Sequence, residues 1–549
     1  MTRFFFIVLF SCSLIKLNAQ SETNDLIKHI EQDIFTLAND SMAGRNTGSQ
    51  GEAMAYHYII NQYKEIGLSP MGDSGSFIQS FSCVLGKKYN GENALIINDR
   101  SYELDKDFFP LVQSSNGTVT GVIQKIDNTV FSDSLLKGLD VKKGSILLIQ
   151  IPTSSQSNPH ESNFLDLNQI ISACTKTSCA AIIFYNADDS TDDLEFNLNI
   201  KTPDASFPII FINHAACKTL FNNQKMIANI TTSLSHETRT GHNVVAFLNN
   251  HSEHTVVIGA HYDHLGLGHD GNSLYNGPEE IHNGADDNAS GTAGVIELAR
   301  LLKNSSSKNY NYLFIDFSGE ELGLLGSNYW VKNATYDTSK INYMINMDMI
   351  GRYDSTKGME ISGLGTSPAN FKFIYSLSDF KIKFSDKGTG PTDHTSFYYA
   401  QIPVLNFFTG THSDYHKPSD DAEKINYEAE AGILKMILKI IDTLNSKPVL
   451  PFTQTTDANA SDAPTFKVRL GIIPDYMFEG PGLRVDGVDE GKAAATAGIL
   501  KGDVILQLGE TEVTDIMAYM TALSKFKKGQ TVMAKLMRGK EIIQLNVTF

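Results

Sequence analysis

Between Asn243 and about residue 445 the chain alternates short apolar runs with amphipathic stretches, and this alternation restricts the fold more than any other feature. "NVVAFL", "TVVIGA", "YLFIDF", "YMINMDMI" and "IPVLNFF" read as strands, whereas "SGTAGVIELARLLK" and "YEAEAGILKMILKIIDTL" carry the period of packed helices. Strands interleaved with helices predict an α/β domain whose mixed sheet carries helices on both faces. In such sheets the crevice beyond the strand C-terminal ends is the natural place for a site.

Five polar stretches end or follow those strands: "GAHYDHLG" (259–266), "NGADDNASG" (283–291), "SGEELG" (318–323), "NMDMIG" (346–351) and "DYHKPSDD" (414–421). If they converge, the crevice gathers imidazoles and carboxylates, hard donors suited to zinc. His261, Asp286, Glu321, Asp348 and His416 are the expected ligands of two zinc ions, with Asp286 bridging. Two dications are then balanced by three carboxylates and one hydroxide, a neutrality that a water-poor cleft demands. Asp263, two positions from His261 on the same side of an extended chain, is placed to accept the other imidazole N–H and fix its tautomer. Glu320 and Glu321 are adjacent, so their side chains diverge; one binds metal while Glu320 faces the water as general base. His264, His269 and His282 lie near the motifs and are expected to be no ligands, since two imidazoles complete the set. Met349 and Tyr415, which flank ligands, are expected to line the specificity pocket.

At 549 residues the chain exceeds what one hydrophobic core organises, so two to four domains are expected. Residues 1–19, with Arg3, an apolar run from Phe4 to Leu17 and Ala19 before Gln20, read as a signal peptide for secretion or delivery to the periplasm. The rival reading lipidates Cys12, against which stands bulky Phe10 where such sites prefer small residues. No other segment is expected to cross a membrane. In an exported chain Cys83, Cys174, Cys179 and Cys217 could pair, in a pattern the sequence leaves open. A formal charge of −17 argues against a nucleic-acid partner, which requires clustered Lys and Arg. Residues 20–109 and 236–447 are assigned to one discontinuous domain around a β-rich insert at 110–235. The stretch 448–464, rich in Pro, Ser, Thr and Asp without a period, reads as a linker to a last domain at 465–549.

With "AGRNTGSQG" (43–51) and "TDHTSF" (392–397) added, the ordered motifs resemble metallopeptidase family 28, the secreted di-zinc aminopeptidases and related exopeptidases. The resemblance implies zinc on His261, Asp286, Glu321, Asp348 and His416, a base at Glu320 and a cis peptide after Asp286. The insert resembles, more diffusely, a protease-associated (PA) domain. The tail resembles a PDZ domain: "GKAAATAGILKGDVILQLGE" (491–510) matches the family's helix and following strand, "RLGII" (469–473) its carboxylate loop and "TDIMAYMTALSKF" (514–526) its groove helix. In that family a peptide adds as an extra strand with its C-terminal carboxylate held by loop N–H groups.

The expected activity is therefore zinc-dependent exopeptidase hydrolysis of peptides, an aminopeptidase cutting the N-terminal bond by way of a water between the metals. Three rivals are weighed. A carboxypeptidase needs a cation for the substrate carboxylate, for which Arg352 is available. A glutaminyl cyclase runs on one zinc, against which His261 and Asp348 stand as a second ligand pair. An inactive binding protein would keep only the PDZ domain at work.

Overall fold

The computed structural model describes residues 23–126, 141–150, 167–185, 205–218, 225–269, 272–275, 277–455, 468–474, 481–488, 492–513, 518–519, 522–523, 525–527 and 529–549. The expected signal peptide and Cys12 lie outside them. Two compact units emerge, one of residues 1–83 with 240–549 and the other of residues 84–239.

The first unit is built on a mixed sheet. Its strands β1 (Leu234–Leu248), β2 (Thr255–His261), β3 (Asn311–Phe317), β4 (Ile341–Met347), β5 (Met359–Ser362), β6 (Ile382–Phe384) and β7 (Val404–Phe408) are ordered β1-β3-β2-β4-β7-β5-β6. Strand β2 runs parallel to both β3 and β4, and β4 parallel to β7, while β1 is antiparallel to β3. In strands, alternate side chains face opposite sides. Val244, Ala246, Val256 and Ile258 accordingly join one core with helices α1 (Gln50–Ile66), α2 (Gly291–Asn304) and α3 (Tyr427–Leu444). Val245, Phe247 and Val257 join another with Trp330 and Phe397. Helices thus cover both faces, as the periodicities predict. No helix among the described residues is long and apolar enough to cross a membrane.

Residues 84–239 form the insert, wider than the expected 110–235. The difference has a simple cause. Ala94–Ile97 pairs with Ile227–Thr232, and Phe108–Pro110 with Ile209–Ile212, so short strands before residue 110 belong to the insert's eight-stranded sheet. Cys83, Cys174, Cys179 and Cys217 are all free thiols. Burial pushes the Cys174 thiol up to about 12, which keeps it unreactive.

The C-terminal residues have a core of their own, including Leu470, Leu483, Val485, Ile505, Leu508, Ala534 and Leu536. Asp503 is buried there and receives a bidentate pair from Arg538 at 2.8 and 2.7 Å. The stretch expected as linker from residue 448 lies on the α/β core as far as residue 455. Leu450 is buried and donates its N–H to Asn342, and the Thr455 N–H bonds the Tyr398 hydroxyl. Residues 456–467 lie outside the described residues. Separate cores predict separate folding. Truncation at Asp457 is expected to leave a soluble α/β domain with one cooperative thermal transition; an insoluble product would make the C-terminal domain part of the same folding unit.

Candidate metal centre

Parallel pairing brings the chemistry to one sheet edge. His261 ends β2 opposite Phe317 at the end of β3, which Ser318, Glu320 and Glu321 follow at once. Asp348 directly follows β4, and the segment with His412 and His416 follows β7. Asp286 and Asp287 stand in the irregular turn that opens α2.

The front motif locks these loops together. Arg45, fully buried, donates to four carbonyls: Leu37 at 2.6 Å, Tyr262 at 2.7 Å, Asn283 at 2.6 Å and Gly284 at 2.9 Å. Burial pulls its pKa down to about 10, against the pull of Asp287 and Asp263. The Thr47 hydroxyl donates to Asp263 at 2.8 Å, and Glu52 accepts from Ser318 at 2.5 Å. Arg45→Met would strand four buried acceptors. It is expected to cost about 3 kcal/mol or more, since each orphaned group forfeits about 1–3 kcal/mol, and the denaturant midpoint would read the loss.

Two donor sets meet at one carboxylate, Asp287. Its Oδ1 is 3.4 Å from His261 Nε2, which is itself 3.5 Å from Asp348 Oδ1. Its Oδ2 is 3.2 Å from His416 Nε2, and that nitrogen is 3.3 Å from Glu321 Oε2. Zinc ligands about 2.0–2.1 Å from a tetrahedral ion stand about 3.4 Å from one another. The donors therefore already have the spacing of two coordination shells joined through Asp287. His264 also joins the second set, its Nδ1 2.8 Å from Glu321 Oε1.

Asp286, the expected bridge, is not in either set. Its Oδ1 accepts the Gly351 N–H at 2.7 Å and its Oδ2 faces His412 Nε2 at 3.1 Å, so it ties the loop after β4 to that after β7. The cause is the backbone of the turn. Asp287 has φ −107° and ψ 90°, outside the helical range, so the two adjacent carboxylates point apart; the cis peptide, expected after Asp286, follows Asp287. Asp420 holds the turn by accepting the N–H groups of both Asp286 and Asp287, at 3.0 and 3.1 Å.

Asp263 also departs from expectation. The His261 Nδ1–H points to the Asp263 backbone carbonyl at 3.1 Å, while the carboxylate stands 3.7 Å away. That carboxylate instead accepts the Glu320 N–H at 3.2 Å and the Thr47 hydroxyl. It positions Glu320 while the residue's carbonyl fixes the imidazole. Glu320 itself is in neither donor set; its Oε2 lies 3.9 Å from His261 Nε2.

The electrostatics are those of a cation site. Burial opposes charge on His416, yet Glu321 and Asp287 raise it to about 9. His261 is likewise buried, and Glu320 with three further carboxylates carries it well above the ordinary imidazole range. Burial pushes Glu320 well up, with Glu321 and Asp348 adding and His261 opposing. Asp287 is buried too, but His261 and His416 hold it well below the usual carboxylate range. Clustered acids drawing protons onto imidazoles would equally draw a divalent metal.

His269 pairs with Glu279 at the surface, and His282 bonds Ser273 at 2.7 Å, so both stay outside the donor sets. Met349 is buried, and Tyr415 stacks on the His416 ring at 3.9 Å. His264 is expected from the sequence to be no ligand, and its place beside Glu321 and Asp287 corrects that; sequence reasoning does not single out Asp287, His412, Arg45 or Asp420 as parts of the site. Each stands inside or beside a quoted motif, but residue type alone does not say which way a loop side chain points.

Residues 243–441 match the model of peptidase family M28, and residues 454–549 that of the PDZ domain. The chain is similar to leupeptin-inactivating enzyme 1 of Streptomyces exfoliatus, 28% identical over 265 residues that cover 46% of this chain and 55% of that protein. It is also similar to an aminopeptidase of Pseudomonas aeruginosa, 27% identical over 326 residues, 57% of this chain and 56% of the relative. The chain thus spans about half the length of these curated relatives. Among solved structures, the aminopeptidase from Aneurinibacillus sp. strain AM-1 aligns with 77% of this chain and 94% of its own, at 23% identity and a TM-score of 0.44. The segment whose strand ends assemble the donor sets belongs to peptidase family M28, and residues 454–549 are a PDZ domain.

Proposed function

We propose that this chain is an exported metallo-exopeptidase, an aminopeptidase that hydrolyses the N-terminal bond of peptides. The observation that carries the reading is the shared Asp287, one carboxylate oxygen on each of two donor sets, with Glu320 beside His261 and in neither set. His261 and Asp348 would hold one zinc, His416 and Glu321 the other, and Asp287 both. Zinc there supplies a Lewis acid for the scissile carbonyl and lowers the pKa of water toward neutrality. Glu320 takes the proton from the attacking water and delivers it to the leaving amine. Asp263 holds the Glu320 backbone in place for both transfers.

The N-terminal end is favoured over the C-terminal end by charge. Arg352, the cation a carboxypeptidase would use, is paired with Asp414 at 3.2 Å and lies 4.0 Å from Asp420. The carboxylates around the donor sets suit an ammonium group better than an anion. Export rests on the first nineteen residues, and a mature chain beginning at Gln20 is the expected result of N-terminal sequencing. The PDZ domain is assigned peptides with a free C-terminal carboxylate as ligands.

The deciding experiment combines metal analysis with product identification. Two zinc ions per mature chain, loss of turnover to a strong chelator, and cleavage of free but not N-acetylated peptides are expected. One zinc at full activity would move the reading to a glutaminyl cyclase, and release of C-terminal residues would move it to a carboxypeptidase.

A further inference from the structure

The carboxylate loop of the PDZ domain opens onto the peptidase domain. A cavity of about 140 Å³ is bounded by Leu470, Gly471, Lys492 and Tyr519 on one side and by Ser273 and Leu274 on the other. Gly471 is required there: its φ is +75°, and a Cβ would stand 2.2 Å from that of Lys492. The Leu470 carbonyl accepts the Ala494 N–H at 2.7 Å, which ties the loop to the helix Ala493–Ala497. The lining joins apolar Leu470, Ile472 and Leu523 to the cations Arg469 and Lys492. That combination complements an apolar last residue with a free carboxylate.

The peptidase side of the cavity is the segment that holds a proposed zinc ligand. The Leu274 N–H donates to the His416 carbonyl at 3.0 Å, and His416 Nδ1–H donates to the Asn272 carbonyl at 2.8 Å. The Asn272 amide in turn donates to the Glu321 carbonyl. A second link joins the same domains, since the Thr411 hydroxyl donates to the Pro474 carbonyl at 2.6 Å next to His412. The cavity wall and the His416 tether are therefore two sides of three residues.

We infer that this cavity is a joint site, in which a peptide's C-terminal carboxylate and apolar side chain pack against Ser273 and Leu274 as well as the PDZ loop, and that its occupancy holds His416 in place. The inference rests on the metal and PDZ readings above. Peptide binding and zinc binding then strengthen one another, and the linkage is reciprocal.

The test uses the full chain and an N-acetylated pentapeptide ending in valine, which cannot be trimmed from its N-terminus, beside the same peptide as its C-terminal amide. The acid is expected to bind and to slow zinc release to a chelator by about fivefold or more, and the zinc-free chain to bind it more weakly than the zinc-loaded chain. The amide should do neither. In Leu274→Gly the slowing should vanish while the acid still binds. Binding that leaves zinc release unchanged overturns the coupling and spares the PDZ reading. Failure of the acid to bind overturns the joint site together with the PDZ ligand. A chain that takes up no zinc overturns the metal reading, and the inference falls with it.

Discussion

Asp287→Asn is expected to abolish turnover and to lower zinc content below two per chain, whereas Asp286→Asn should keep both metals. The amide has one oxygen and no charge, so it cannot offer an anionic donor to each set; His261 and His416 would each lose the partner they share. A fall of about 10³-fold or more in kcat/KM, roughly 4 kcal/mol of barrier, is expected. In Asp286→Asn the amide oxygen can still accept from Gly351, and the lost charge is felt through His412 and the loop after β7. Changes that only orient ligands cost about 10–100-fold. Zinc content and kcat/KM of both variants decide the matter. If Asp286→Asn loses metal while Asp287→Asn keeps it, the donor sets are wrongly drawn.

The pair also marks the limit of what the sequence makes legible. Periodicity placed the strands, and parallel strands necessarily deliver their C-terminal ends to one edge, so the convergence of five separate stretches could be foreseen. Alternation also foretold two covered faces: Val256 and Ile258 pack on one side of β2 and Val257 on the other. Which of two adjacent acids turns inward depends on the φ and ψ of an irregular turn, and no period encodes that. The same ignorance kept His264, set against Glu321, off the expected ligands and hid Asp420, whose oxygen gathers two backbone N–H groups of the turn.

Domain edges failed for a different reason. Ala94–Ile97 and Phe108–Pro110 are strands of four and three residues with partners a hundred or more positions on, too short to show a pattern alone. Residues 449–455 have linker composition yet pack on the core, because one buried leucine and a few hydrogen bonds suffice to hold an extended segment. Arg45 is the clearest lesson in the other direction. Nothing in its residue type marks a lone arginine in a glycine-rich loop as a buried clamp, yet its four carbonyl partners are Leu37 nearby and Tyr262, Asn283 and Gly284 in two distant segments.

The neighbouring glutamates give the second large effect. Glu321 contributes a donor oxygen 3.3 Å from His416 Nε2, while Glu320 stays outside both sets with its backbone N–H held by Asp263. Glu321→Gln replaces an anionic donor by a neutral amide, so one zinc should bind weakly and turnover should fall together with metal content. Glu320→Gln leaves every donor in place and removes only the group that carries the proton. Such a step is worth about 10²–10⁴ in rate, so kcat should collapse while zinc content and inhibitor affinity persist. Zinc analysis and kcat on the two variants separate the roles. Loss of zinc in Glu320→Gln with retention in Glu321→Gln would reverse them. A fall of less than about tenfold in both, about 1.4 kcal/mol of barrier, would remove the general base from the mechanism.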